Sequence, residues 1–178
     1  MKPFNFLKQR NRAFIRLSFN FALLLSSIAV IAQTPVNFSG KWMLDNNKST
    51  FGKMDTKYDG TITRNITQTP ATLTCTDLYT KPGNQDFETA PESYNLDGKE
   101  VVEKHSVETT KTVAKWSQDK KILTISITSI ATIQGKQEEY IYSFTYRLSP
   151  DGKTLYIENY AKNSVIGEEK TTKVYNKK

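Results

Sequence analysis

Few side chains in this sequence are equipped for chemistry on another molecule. There is one histidine, His105, and one cysteine, Cys75. One imidazole supports neither a histidine-based metal site nor a Ser-His-Asp relay, and one thiol permits neither an intramolecular disulfide nor a cysteine-based metal site. No catalytic residue, metal or cofactor is therefore expected, and Cys75 reads as a small buried hydrophobe. Glu92 and Glu103 could oppose each other across a hairpin as a carboxylate pair, although a solvated hairpin face accounts for both. The strongest binding chemistry belongs to Arg64. A guanidinium stays charged wherever it is placed, so it must meet an anion or water. It can pair with Asp77, and a bidentate contact also suits the carboxylate of a ligand.

The elements that position these residues are β-strands. Beyond Gly52, Thr, Val, Ile, Tyr and Phe dominate and turn residues recur at short intervals, which signals an all-β barrel or sandwich. Thr69-Pro70-Ala71-Thr72 reads as a β-turn, and its centre sets Arg64 opposite Asp77 and Ile66 opposite Cys75. Lys81-Pro82-Gly83-Asn84 fits a type II turn leading into a strand near 86–96. Asn95-Leu96-Asp97-Gly98-Lys99 carries the Asp-Gly hairpin signal. Turns centred on Asp119-Lys120, Gln134-Gly135 and Asp151-Gly152 put Trp116, Ala114, Leu123, Ile125, Ile127, Tyr142, Phe144, Tyr146, Leu155 and Ile157 on one shared face. A slip of one residue would send all of them outward, so the register is well specified. The opposite face carries Arg147, Glu158 and several Ser and Thr residues, together with Tyr156 and Tyr160. About ten strands in simple succession point to a single antiparallel up-and-down β-barrel of eight to ten strands.

The first half is less regular. The same pairing turns Arg64, Asp77, Glu88, Glu92, Glu103 and His105 inward, and ionised groups inside must be paired or wet. Either that wall faces water or ligand, or a bulge at Pro91 reverses the parity. Pro91 also marks a break or an edge in the ladder.

Residues 1–32 read as a signal peptide. Lys2, Lys8, Arg10, Arg12 and Arg16 precede an apolar run from Leu17 to Ala32, and Val30-Ile31-Ala32 suits a cleavage site. The run is 16 residues long, against about 20 for a spanning helix. Export to the periplasm or the outside is expected, with no membrane anchor after cleavage. The whole chain carries +7, but the remainder has 20 basic and 18 acidic residues, a balance of +2. That balance gives no basic face for nucleic acid. Residues 33–178 suit one domain.

The domain opens with V-N-F-S-G-K-W-M-L-D-N-N-K-S-T-F-G over Val36–Gly52. Phe38, Gly40, Trp42 and Leu44 alternate with Ser39, Lys41 and Met43, the period of a half-buried strand. This opening, with the late D-G-K-T-L-Y-I-E hairpin, resembles the small secreted lipocalin-like proteins of environmental bacteria. Gly40-x-Trp42 is similar to the Gly-x-Trp opening of lipocalins and fatty-acid-binding proteins. The resemblance implies that Phe38, Gly40 and Trp42 plug the closed end of a barrel. It also implies that a late basic residue, Arg147, Lys170 or Lys173, packs over Trp42. The implied function is carriage of a small hydrophobic or amphipathic molecule. Its expected contacts are Arg64, Asp77, Leu123, Ile125, Ile127, Tyr142, Phe144 and Tyr146. Against an anionic ligand, Asp77, Glu88, Glu92 and Glu103 would make the wall acidic, which leaves neutral and cationic ligands open. The alternative is a structural or protein-interaction barrel filled by its own side chains.

Overall fold

The computed structural model describes residues 33–53 and 57–178. The signal peptide expected over residues 1–32 lies outside them. Among the described residues eleven strands follow one another: β1 (Gly40–Leu44), β2 (Thr61–Gln68), β3 (Thr72–Thr80), β4 (Phe87–Glu88), β5 (Glu92–Asn95), β6 (Val101–Lys104), β7 (Glu108–Trp116), β8 (Ile122–Ile133), β9 (Lys136–Leu148), β10 (Thr154–Asn163) and β11 (Gly167–Lys177). All pairings are antiparallel, in the order β4-β3-β2-β1-β11-β10-β9-β8-β7-β6, with β5 also on β3. The first strand pairs with the last, Trp42 opposite Lys177, and this ladder curls the meander into a barrel. The core runs from Phe38 to Tyr175 and draws on both halves of the chain. Residues 34–178 therefore hold a complete core and form a compact unit of their own.

The hairpin turns fix the expected register. Arg64 faces Asp77 and Ile66 faces Cys75. Ile125 faces Phe144 and Ile127 faces Tyr142, Ala114 faces Ile125, and Ile157 faces Tyr146. The outward tyrosines find cations: the Arg147 guanidinium lies 4.0 Å from the Tyr156 ring centre, and Lys170 Nζ lies 5.8 Å from that of Tyr160.

Near Pro91 the structure takes the second of the two expected alternatives, the bulge. Tyr79 pairs with Phe87 and Leu78 with Glu88, whereas Cys75 pairs with Glu92 and Leu73 with Tyr94. One extra residue is thus accommodated between Glu88 and Glu92, a bulge where proline can offer no N–H to the ladder. It splits the expected single strand into β4 and β5, which raises the count to eleven. It also turns Glu88 outward, where Glu88 accepts a hydrogen bond from Thr76 Oγ1 at 3.1 Å. Glu88 therefore does not share Arg64. The Asp97-Gly98 turn closes no hairpin, because β5 pairs with β3 and β6 with β7. Glu92 and Glu103 are consequently not cross-strand partners. Both are exposed, as are His105 and all of β6, so these inward-parity charges stand in water.

Candidate functional site

The site is built on the plug. Residues 36–39 cross the closed end before β1 begins. Val36 N–H donates to Lys120 O at 3.0 Å. Gln68 holds the crossing segment from both sides: its Oε1 accepts from Phe38 N–H and its Nε2 donates to Val36 O, each at 2.9 Å. Phe38 stacks on Trp116, with ring centres 5.8 Å apart, and tilts onto Tyr146. Trp42 is fully buried, and its Nε1–H donates to Phe38 O at 2.8 Å, so the indole buries no orphaned donor. Gly40 has φ +143, and a Cβ there would come within 3.6 Å of the Trp42 indole nitrogen. The cation over Trp42 is Lys177, with Nζ 5.5 Å from the ring centre. It comes from the direct cross-strand partner. None of Arg147, Lys170 and Lys173 fills this place, because the first faces outward onto Tyr156, the second meets Tyr160 and the third lies elsewhere in the interior.

Arg64 is the other cross-strand neighbour of Trp42, so the polar part of the interior begins directly on the plug. Arg64 Nε donates to Asp77 Oδ1 at 2.8 Å and Nη2 to Oδ2 at 2.5 Å. This is the bidentate geometry that a guanidinium and a carboxylate favour. The two side chains are 18% and 14% exposed, so the pair is neither a surface bridge nor sealed in the core. Burial works against the charge of Arg64, but Tyr175 and the bonded Asp77 outweigh it and hold the guanidinium pKa above its ordinary value. Burial raises the Cys75 thiol pKa and, more strongly, that of the Tyr146 phenol. Both stay neutral and act as packing groups, as expected for Cys75.

Above this pair lies a cavity of about 140 Å3. Arg64, Asp77, Asn159 and Lys173 line it alongside apolar walls that include Leu44, Ile62, Phe144 and Ile157. Lys173 is 9% exposed, and its Nζ lies 3.7 Å from the centre of the Phe51 ring, which covers it. Asn159 Oδ1 is buried with no hydrogen-bond partner among the described residues. A second hollow of about 330 Å3 lies toward the open end, with Phe144 and Asn159 again in its wall and Tyr142 beside them. Phe51 is held in place from β11. Thr50 and Thr172 exchange hydrogen bonds of 2.8 and 2.7 Å. Two residues after Phe51, Lys53 N–H donates to Glu169 Oε1 at 2.7 Å. Gly52 lies flat against that carboxylate, and any Cβ there would collide with it.

Of the residues expected at a site, Arg64, Asp77 and Phe144 meet at the smaller cavity, and Tyr142 joins Phe144 at the larger. Leu123, Ile125 and Tyr146 are instead packed in the core, and Ile127 packs against it. Sequence reasoning missed Asn159 and Phe51, and it offered Lys173 only as one candidate for the place over Trp42. Asn159 was within reach: it follows Ile157 by two residues on an inward-facing strand and pairs with Phe144. Phe51 had no such signal, because it lies in a loop. Among the described residues, no group of three or more His, Cys, Asp or Glu side chains could hold a metal ion.

No protein-family model matches the chain, and no curated protein does. Among solved structures, the chain is similar to zebrafish ileal bile acid-binding protein complexed with cholic acid. The identity is 18% and the TM-score 0.49, over 79% of this chain and 98% of that one. The assignment to an antiparallel up-and-down barrel rests on the strand order and register themselves.

Proposed function

We propose that this barrel binds one small amphipathic molecule at the open half of its interior and performs no chemistry on it. The observation that carries this reading is Asn159 Oδ1, unpartnered among the described residues, beside a cavity whose wall mixes polar and apolar side chains. A buried acceptor without a donor costs about 1–3 kcal/mol, and a protein rarely leaves one beside a hollow unless something fills it. The volume of the lower cavity suits a polar headgroup, and the larger hollow above it suits an apolar body. In this reading Arg64 is already committed to Asp77, and Asn159 selects a ligand that brings an N–H or O–H donor. A neutral donor-bearing headgroup therefore fits better than the fatty-acid carboxylate that Arg64 alone would suggest. The signal peptide reading of residues 1–32 places the carrier in the periplasm or outside the cell.

A filled structural or protein-interaction barrel is the competing reading. It is favoured by the dense packing at the plug, where Phe38, Trp42, Leu73, Leu123 and Leu155 are all at 0% exposure. Mass spectrometry of solvent extracts from the purified protein distinguishes the two. The carrier reading predicts a co-purifying small molecule that is lost from Asn159→Leu while the fold is retained. A clean extract, together with no uptake of fluorescent alcohols or fatty acids, would leave the filled barrel.

A further inference from the structure

The exposed apolar side chains are not spread evenly over the molecule. The four most exposed large ones are Val165 at 79%, Phe87 at 62%, Val107 at 61% and Ile133 at 48%. Val107 and Val165 lie in the β6–β7 and β10–β11 connections, while Phe87 opens β4 after the β3–β4 connection and Ile133 ends β8 before the β8–β9 connection. The antiparallel meander brings all four connections to one end, the end opposite the plug. None of the connections at the plug end carries a comparable side chain.

The outward setting of Val165 is built in. Asn163 Oδ1 accepts from the N–H groups of both Val165 and Ile166, at 2.8 and 2.9 Å. This turn directs Ile166 inward, at 9% exposure, and its equally apolar neighbour outward. Phe87 leans on Tyr79, with ring centres 6.0 Å apart, and Tyr79 lines the lower cavity. Asn163 and Ile166 line the upper hollow. The apolar tips are thus continuous with the mouth of the interior.

We propose that this end of the barrel docks reversibly on the surface of a zwitterionic lipid bilayer, with the four tips inserted among the headgroups. Separate side chains at the ends of turns present points rather than a flat patch. Points suit a headgroup layer, whereas a stable protein partner needs a broad complementary face of about 1,000 Å2 or more. Charges of both signs flank three of the tips, Lys104 and Glu108 around Val107, Lys136 and Glu138 after Ile133, Lys162 and Glu168 around Val165, while Phe87 stands between Asp86 and Glu88. This mixture matches headgroups that carry both charges and offers no net attraction to an anionic surface. Docking there would open the interior onto the bilayer, yet the contact itself needs no ligand in the cavity.

Flotation of residues 33–178 with phosphatidylcholine vesicles tests the proposal. The protein is expected to float with the vesicles equally at low and high salt, because burial of apolar tips is little screened. Combining Phe87→Ser, Val107→Ser, Ile133→Ser and Val165→Ser should lower the bound fraction roughly tenfold or more. The pair Val107→Ser and Val165→Ser alone should give part of that loss. Serine at Met43 and Ile122, which are 39% and 37% exposed away from this end, should change nothing. The proposal is overturned if the wild type stays with the soluble fraction, or if the fourfold variant floats like the wild type. It is also overturned if sedimentation shows the tips pairing two copies of the chain while neither protein floats.

Discussion

Around Trp42 the interior holds Phe38, Leu73, Leu123 and Leu155, each at 0% exposure. One cross-strand step away, it holds a guanidinium, a carboxylate and a cavity of about 140 Å3 with an amide oxygen that meets no donor. The same strands run through both regions, so the difference is not one of fold. It lies in which residue occupies each inward position. On β10, Leu155 and Ile157 are followed by Asn159, and on β11, Tyr175 is preceded by Lys173. Apolar residues at the plug end give packing, while polar ones toward the open end leave unspent hydrogen-bonding capacity that a ligand can use.

The largest expected effect lies at the plug. Trp42→Ala should lower stability by about 3–5 kcal/mol, as for other fully buried large aromatics. It removes the indole, its bond to Phe38 O, and the surface on which Lys177 rests. Chemical denaturation gives the measurement. A midpoint equal to that of wild type would mean that the plug does not support the barrel.

The two regions also differ in how well the sequence announces them. Pro70-Ala71, Asp119-Lys120, Gln134-Gly135 and Asp151-Gly152 each centre a tight turn, and the alternation between them specifies which residues face inward. Arg64 opposite Asp77 was legible for this reason. Pro91 offered a bulge as one of two alternatives, but alternation alone could not choose between them, and the pairing of β4 and β5 with β3 is what turns Glu88 outward. The Asp97-Gly98 turn was legible as a turn but not as a break between sheet edges, since pairing partners are a tertiary choice. Lys177 over Trp42 was missed because it depends on closure between the first and last strands. Phe51 was missed because it reaches the cavity from a loop held by hydrogen bonds to β11.

A smaller effect is expected where the interior changes character. Asp77→Ala leaves the Arg64 guanidinium without its bidentate partner in a wall that is only 18% exposed. The cost should be about 1–3 kcal/mol, between that of a surface pair and a sealed one. Replacing both partners, Arg64→Met with Asp77→Ala, should cost less than Asp77→Ala alone, because no buried charge is then stranded. Equal losses for the single and double variants, read from denaturation midpoints, would show that water already satisfies Arg64 and that the cavity floor is wet.

The smallest effect separates two turns at the plug end that are built alike. In one, Ser117 Oγ–H donates to Asp119 Oδ1 at 2.6 Å, and Ile122 N–H donates to Ser117 Oγ at 3.0 Å. In the other, Ser149 Oγ–H donates to Asp151 Oδ1 at 2.6 Å, and Thr154 N–H donates to Ser149 Oγ at 2.9 Å. The hydrogen bonds from serine lower the pKa of both aspartates. The turns differ at the residue after the aspartate, where Lys120 has φ 55 and Gly152 has φ 67. The left-handed region costs a residue with a Cβ about 1–2 kcal/mol, while glycine gives back about 0.5–1 kcal/mol through its freer unfolded chain. Lys120→Gly should therefore stabilise the protein by about 0.5–1 kcal/mol. The Lys120 backbone would keep both its bond to Ser117 O and its grip on Val36 N–H. Gly152→Lys should destabilise by a similar amount. A raised thermal midpoint for the first variant and a lowered one for the second would show that the turn hydrogen bonds, not the residue at the strained position, dictate the loop. A lowered midpoint for Lys120→Gly would mean that the lysine side chain contributes more than its backbone strain costs.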